Sequence, residues 1–84
     1  MITERTSVGL DVHARSTVAA AIEEQTGELT QRRMGSGADE IVAWVTGLPG
    51  PVAAAYEAGP TGFGLARALT AAGARCVVAA PSKL

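Results

Sequence analysis

The sequence has a single cysteine and no long apolar run, and each of these absences excludes a class of protein. Cys76 is its single cysteine, which excludes an internal disulfide framework and a multi-cysteine zinc site. No window of about 18 residues is apolar and uncharged, and Met1 to Ser7 lacks the apolar run of a signal peptide. These absences predict a soluble, cytoplasmic chain without a membrane partner.

Aromatic residues and excess charge of either sign are also scarce. Trp44, Tyr56 and Phe63 are the only aromatic residues, so the core must consist of small and aliphatic side chains. Seven basic residues stand against eight acidic ones, which gives a formal net charge of −1. A chain that binds nucleic acid unaided normally carries clustered Lys and Arg. Any nucleic-acid role therefore requires positive charge from outside this chain. Its 84 residues allow one small domain, residues 1–84.

The first part of the chain predicts three short antiparallel strands. Residues 7–12 alternate, with Val8, Leu10 and Val12 on one face, and residues 17–23 follow after a short polar connection. Gly27 can supply the positive φ of a second turn, and residues 29–34 form a weaker third strand. Three strands in such close succession indicate a meander.

The second part predicts helices between strands. Ser36 and Asp39 have the spacing of a capping box before an apolar helical stripe that ends near Gly47. Residues 51–58 and 75–80 read as strands buried on both faces, separated by a helix that Thr61 caps and Gly73 ends. That helix is expected to turn four residues inward, namely Phe63, Ala66, Leu69 and Ala72.

The predicted order is thus β-β-β-α-β-α-β, an α/β fold with a mixed sheet. A right-handed crossover makes the last strands parallel. Antiparallel strands followed by parallel βα units match the layout of the ribonuclease-H-like fold. The chain ends directly after a strand, which leads us to expect the front portion of a longer domain.

Two acidic residues are the leading candidates for chemistry. Asp11 lies near the end of the first strand, and Glu57 ends an apolar strand that begins after Pro51. If these strands are neighbours, about 4.8 Å apart, both carboxylates can reach one point and suit a hard divalent cation such as Mg²⁺. The alternatives are a turn-initiating role for Asp11, and an ion pair of Glu57 with Arg67 or Arg75.

Other residues give weaker indications. His13 is either an exposed turn residue or a further contact to metal or phosphate. Residues 59–64 are rich in glycine but match neither a Walker A loop nor a dinucleotide fingerprint, so close packing of a helix start explains them better. Arg32 and Arg33 are expected at a solvated edge, and Cys76 is expected as a small buried residue.

Three segments of the chain resemble one protein family. They are the run from Val8 to His13, the run from Tyr56 to Gly62, and the ending from Cys76 to Lys83. Together they resemble the N-terminal domain of the DEDD insertion-sequence transposases, the IS one-hundred-and-ten group. The resemblance covers essentially the whole chain, and the combination is specific where each piece alone is not.

The resemblance implies a RuvC-like domain of ribonuclease-H-like fold. Its active site would contain four carboxylates in the order Asp, Glu, Asp, Asp, of which Asp11 and Glu57 correspond to the first two. The implied activity is Mg²⁺-dependent cutting and rejoining of DNA, with a guide RNA as a further partner. The last two aspartates would follow the Pro-Ser-Lys segment, and the family's C-terminal transposase domain is absent, so we expect these 84 residues to be inactive alone.

Two hypotheses from other classes remain open at this point. One is a nucleotide-binding module of the actin/Hsp70-like type, which also opens with a hairpin that carries an Asp beside glycine. The other is an inactive structural remnant that self-associates as a homo-oligomer, because an uncovered sheet would expose an apolar face.

Overall fold

The computed structural model describes residues 4–57 and 63–79. Seven elements follow one another in the predicted order. They are β1 (Thr6–Val12), β2 (Thr17–Glu23), β3 (Leu29–Met34), α1 (Ala38–Thr46), β4 (Val52–Glu57), α2 (Gly64–Ala71) and β5 (Arg75–Ala79). Among the described residues, no helix has the length and apolar character that a membrane span requires.

The five strands form one mixed sheet in the order β3-β2-β1-β4-β5. Strand β2 is antiparallel to both of its neighbours, whereas β1, β4 and β5 run parallel. The meander and the parallel second half are therefore confirmed. Gly27 has the predicted positive φ of 74° in the β2–β3 turn, and Gly73 has a φ of 99° directly after α2.

Both helices pack on the same face of the sheet, which we call the covered face. Its strand residues alternate along each strand, so that Val8, Leu10, Ala54 and Tyr56 are buried while their neighbours in sequence are not. These side chains join one core with four helix residues, Ile41, Val45, Leu65 and Leu69. The expected aliphatic and alanine-rich core is thus observed.

The opposite side, the open face, has no helix against it in the described part of the chain. The prediction that β4 and β5 are buried on both faces is therefore wrong: Ala55 and Glu57 in β4 are exposed, as are Arg75, Val77 and Ala79 in β5. Both strands alternate between buried and exposed positions, but the sequence hides this alternation because alanine fits either kind of position. The predicted ends of these strands at Ala58 and Ala80 lie outside the described residues.

The helix ends differ from the sequence-based prediction. Gly37, not Ser36, occupies the N-cap of α1, and no side chain caps it. The Ser36 hydroxyl instead donates to the carbonyl oxygen of Ala14 at 3.0 Å, and the Glu40 carboxylate accepts from the Gly35 N–H at 3.2 Å. The proposed capping box of Ser36 and Asp39 is thus wrong, since the acidic partner lies one residue later.

The predicted inward face of α2 is right in part, because Leu69 is fully buried and Ala66 packs partly buried against the core. Leu65 and Leu69 are the buried residues of this helix, whereas Phe63 and Ala72 are exposed. Leu65 is four residues from Leu69, the spacing of side chains on one helix face. The apolar ring of Phe63 suggested burial, but it precedes the helix at the N-cap position. The proposed cap Thr61 lies outside the described residues.

Candidate functional site at the ends of β1 and β4

The structure brings Asp11 and Glu57 side by side. Strands β1 and β4 are parallel neighbours whose last paired residues are Leu10 and Tyr56. One position further along each strand come Asp11 and Glu57, both on the open face. Adjacent strands lie about 4.8 Å apart, so the two carboxylates project from neighbouring points of the sheet. The adjacency of β1 and β4, on which the predicted convergence of the two carboxylates depends, is therefore present in the fold.

Alternation along the strands explains why these two acids face solvent. Leu10 and Tyr56 turn into the core, and the residue that follows each of them must then turn to the opposite face. Asp11 keeps 71% of its side-chain surface exposed. An ionised carboxylate at such a position does not suffer the cost of burial without a partner.

Asp11 has one close partner. The His13 Nε2 atom lies 3.1 Å from the Asp11 Oδ1 atom, and the histidine side chain is 63% exposed. The backbone N–H of His13 donates to the carbonyl oxygen of Ser16 at 2.8 Å and so closes the β1–β2 turn. His13 is therefore the exposed turn residue that the sequence offered as one alternative, and it contacts Asp11. A contact of His13 to metal or phosphate stays a prediction.

Glu57 makes no ion pair among residues 4–57 and 63–79. The suggested partner Arg75 instead places its Nη1 atom 2.7 Å from the Glu4 Oε1 atom. The other suggested partner, Arg67, belongs to α2, which packs on the covered face, whereas Glu57 projects from the open face. The structural ion pair proposed as the alternative for Glu57 is thus not formed with either arginine.

A shallow depression of about 630 Å³ lies at this end of the sheet, and both acids and His13 line it. Small side chains form much of its floor, because Gly9 and Ala55 are the open-face residues that precede Asp11 and Glu57. A Cβ atom at Gly9 would meet no other atom within 4 Å. A ligand can therefore approach the two carboxylates without meeting a long side chain on this floor.

The sequence analysis did not identify Gly9, Ala55 and Val18 as lining residues of the site. Val18 is the β2 partner of Asp11 and borders the same depression. Counting two positions back from each acid would have found Gly9 and Ala55. Val18 could have been found from the predicted strand ends, because strands that end at residue 12 and restart at residue 17 set Asp11 opposite Val18.

The acids can contribute to a cation site but do not complete one. In the described part of the chain, no group of three or more His, Cys, Asp or Glu side chains is arranged to hold a metal ion. Two adjacent, exposed carboxylates still supply oxygen ligands of the kind that Mg²⁺ prefers, and they leave room for the waters that Mg²⁺ retains. The donor set therefore fits Mg²⁺ as a partial site.

The remaining candidates do not join this site. Cys76 is half-buried on the covered face, where burial raises the pKa of its thiol, so it is held as a neutral thiol. Arg32 and Arg33 are exposed on the edge strand β3, as predicted. The glycine-rich run 59–64 and the segment 81–83 fall wholly or mainly outside the described residues.

In comparisons with known proteins, no family model and no curated protein matches this chain.

Proposed function

We propose that the chain is the N-terminal part of a RuvC-like, ribonuclease-H-like catalytic domain of a DNA transposase. In this proposal Asp11 and Glu57 contribute two of the carboxylates that bind Mg²⁺ for cleavage and rejoining of DNA. The observation that carries it is that the two acids lie at adjacent positions on β1 and β4, which are parallel and hydrogen-bonded to each other. In parallel sheets, ligand sites form at the carboxyl ends of strands, where both acids lie.

The strand arrangement supports the same proposal. A sheet in the order β3-β2-β1-β4-β5, in which only β2 is reversed, agrees with the ribonuclease-H-like layout expected from the element order. Together with the three sequence segments that resemble the DEDD transposases, it favours a nuclease-type domain over a nucleotide-binding module. The latter needs a second phosphate loop, and no observation here favours it.

The chain's own residues would hold the cation and admit the DNA backbone. When bound, divalent cations stabilise the attacking and leaving oxygens of a phosphodiester. Asp11 and Glu57 repel phosphate unless a cation lies between them and the DNA, so they bind substrate only through the metal. Gly9 and Ala55 are small residues that leave the approach to both acids open.

Two carboxylates are expected to bind the cation weakly. The resemblance implies two further aspartates after the Pro-Ser-Lys segment, and no Asp or Glu follows Glu57 in the 84 residues. The net charge of −1 also provides little attraction for DNA. We therefore expect cation binding without nuclease activity, and expect that positive charge from other residues or a partner is needed for DNA and guide RNA binding.

A titration with Mn²⁺, monitored by NMR, tests the site. We expect paramagnetic broadening of amide signals close to Asp11 and Glu57, and its loss in Asp11→Asn and in Glu57→Gln. The matched control is Asp39→Asn, because Asp39 lies in the first turn of α1 and outside the depression. Broadening that is absent from the wild-type chain, or that persists in both site variants, would overturn the assignment.

Two further measurements separate the alternatives. Tight binding of ATP with Mg²⁺ in calorimetry would favour the nucleotide-binding module instead. Incubation of the purified chain with branched DNA and Mg²⁺ is expected to leave the DNA intact. Cleavage that survives Asp11→Ala would assign catalysis to other residues.

A further inference from the structure

The two edges of the sheet are protected to different degrees. Strand β3 at one edge exposes Thr30, Gln31, Arg32 and Arg33, and charged side chains of this kind discourage the pairing of edges between molecules. Strand β5 at the other edge carries a charge only at Arg75, its first residue, and continues with Cys76, Val77, Val78 and Ala79. In the sheet of described strands, only β3 is thus defended by charge against a further strand.

Strand β5 is also incompletely covered on both of its faces. Val77 is 52% exposed on the open face, and Arg75 and Ala79 are exposed beside it. Cys76 and Val78 on the covered face are only half-buried. One side of β5 pairs with β4, and no strand among residues 4–57 and 63–79 pairs with its other side. Backbone groups on such an edge can pair with another strand.

We propose that β5 pairs antiparallel with β5 of a second copy of this chain, around a two-fold axis at Val77. This register sets Val77 opposite itself, Cys76 opposite Val78, and Arg75 opposite Ala79. It brings apolar residues together and keeps the two arginines apart, since like charges directly opposite each other are destabilising. A two-fold dimer requires such a self-complementary interface, in which the same strand of each copy makes the same contacts.

The second copy would also add a residue beside the candidate site. Ala79 is the β5 partner of Glu57, so Arg75 of the second copy would follow Ala79 in the same row of the open face. Two strand spacings, about 10 Å, would separate it from Glu57. The dimer therefore brings Arg75 of the second copy, together with the Glu4 carboxylate that it contacts, toward the candidate site. The pairing itself does not depend on the proposed nuclease function.

Sedimentation equilibrium of the full chain under reducing conditions tests the proposal. We expect the wild-type chain to form dimers as its concentration rises, and Val77→Lys to stay monomeric because two lysines would face each other. The matched control is Val18→Lys. Val18 is 44% exposed on the same open face, but lies in β2, which is paired on both sides. This control is expected to dimerise like the wild type.

A second variant keeps the test decisive if Val77→Lys fails to fold. Ala79→Lys places a cation beside Glu57 within the chain, where it is tolerated, but opposite Arg75 of the second copy. We expect its dimer dissociation constant to rise about two- to thirtyfold, because the two-fold axis makes the repulsive contact twice. A wild-type chain that stays monomeric at millimolar concentration would overturn the proposal. So would unchanged dimerisation of both β5 variants, or an equal loss in Val18→Lys, which would point to packing between open faces.

Discussion

The covered and open faces of this sheet are made by the same strands, yet they carry different kinds of residues. On the covered face, Leu10 and Tyr56 are buried in a continuous core. One position further, Asp11 and Glu57 face solvent beside small residues. Packing restricts what the covered face can contain, because a buried charge without partners is costly. The open face is free of that restriction and can hold two adjacent acids.

The largest effect expected from this comparison concerns two isoleucines. Ile41 in α1 is fully buried over the covered face, whereas Ile22 on the open face is 46% exposed. Ile41→Ala should lower the free energy of unfolding by about 2–5 kcal/mol, since the lost methyl groups leave a cavity. Ile22→Ala should cost well under that amount, and urea denaturation of both variants measures the difference.

The result matters because a domain of this size is marginally stable. Small domains bury a smaller fraction of their surface, so a loss of this size is large relative to the total. Ile41→Ala is therefore expected to leave a measurable unfolded population without denaturant. Equal losses in the two variants would mean that the open face is packed against another molecule in solution, and that the difference between the faces does not persist there.

A second difference separates the acids of the two faces. Glu23 ends β2 on the covered-face side and has a side chain only 10% exposed. Its carboxylate accepts from the N–H groups of Gln25 and Thr26 and from the Arg5 guanidinium, at 3.0, 3.0 and 3.1 Å. The Thr26 side chain is the largest cause that lowers the pKa of Glu23 from 4.5 to about 2, followed by the Gln25 N–H, the Arg5 side chain and the Thr26 N–H.

Acid titration follows from that lowered pKa. The stabilisation by Glu23 is fully present above pH 4.5 and is lost as the pH falls from 4.5 toward 2, because the unfolded chain takes up the proton first. Glu23→Gln should therefore reduce stability at neutral pH and flatten the decline in acid. Thermal unfolding between pH 7 and about 2 measures this, with Glu28→Gln as the exposed control. Parallel pH curves for wild type and Glu23→Gln would contradict it.

The sequence predicted the first half of the fold well because its alternation is unambiguous. Val8, Leu10 and Val12 alternate with polar or small residues, so the strand and its covered face could be identified together. The same alternation predicted that Asp11 would face away from the core. The prediction that Asp11 lies beside Glu57 needed one further assumption, that β1 and β4 are neighbours, and the strand pairing confirms that assumption.

The second half resisted prediction because alanine carries little information. Between Pro51 and Glu57 three consecutive alanines precede Tyr56, and each is compatible with either face. For α2 the prediction of Leu69 and Ala66 holds, but Phe63 and Ala72 were wrong and Leu65 was missed, since the alanines of this helix are compatible with several inward faces.

The smallest effect concerns the charge repulsion that the open face tolerates. Asp11 and Glu57 occupy adjacent positions on neighbouring strands, and like charges so placed are destabilising by about 0.2–1 kcal/mol. Glu57→Gln should therefore raise the free energy of unfolding slightly at low salt, and it leaves the contact between Asp11 and His13 intact. Salt should diminish the gain by screening the repulsion. Chemical denaturation with and without Mn²⁺ measures both effects, with Glu28→Gln as the control.

Mn²⁺ should reverse the order of stability of the wild-type chain and Glu57→Gln. A cation that binds only the folded wild-type chain stabilises it, whereas Glu57→Gln has lost one of the two ligands and gains less. The variant is thus expected to be the more stable protein without the cation and the less stable one with it. A variant that is less stable under both conditions would show that Glu57 has a stabilising partner within the fold. In that case the open face would be as constrained at this position as the covered one, and the acids would be structural.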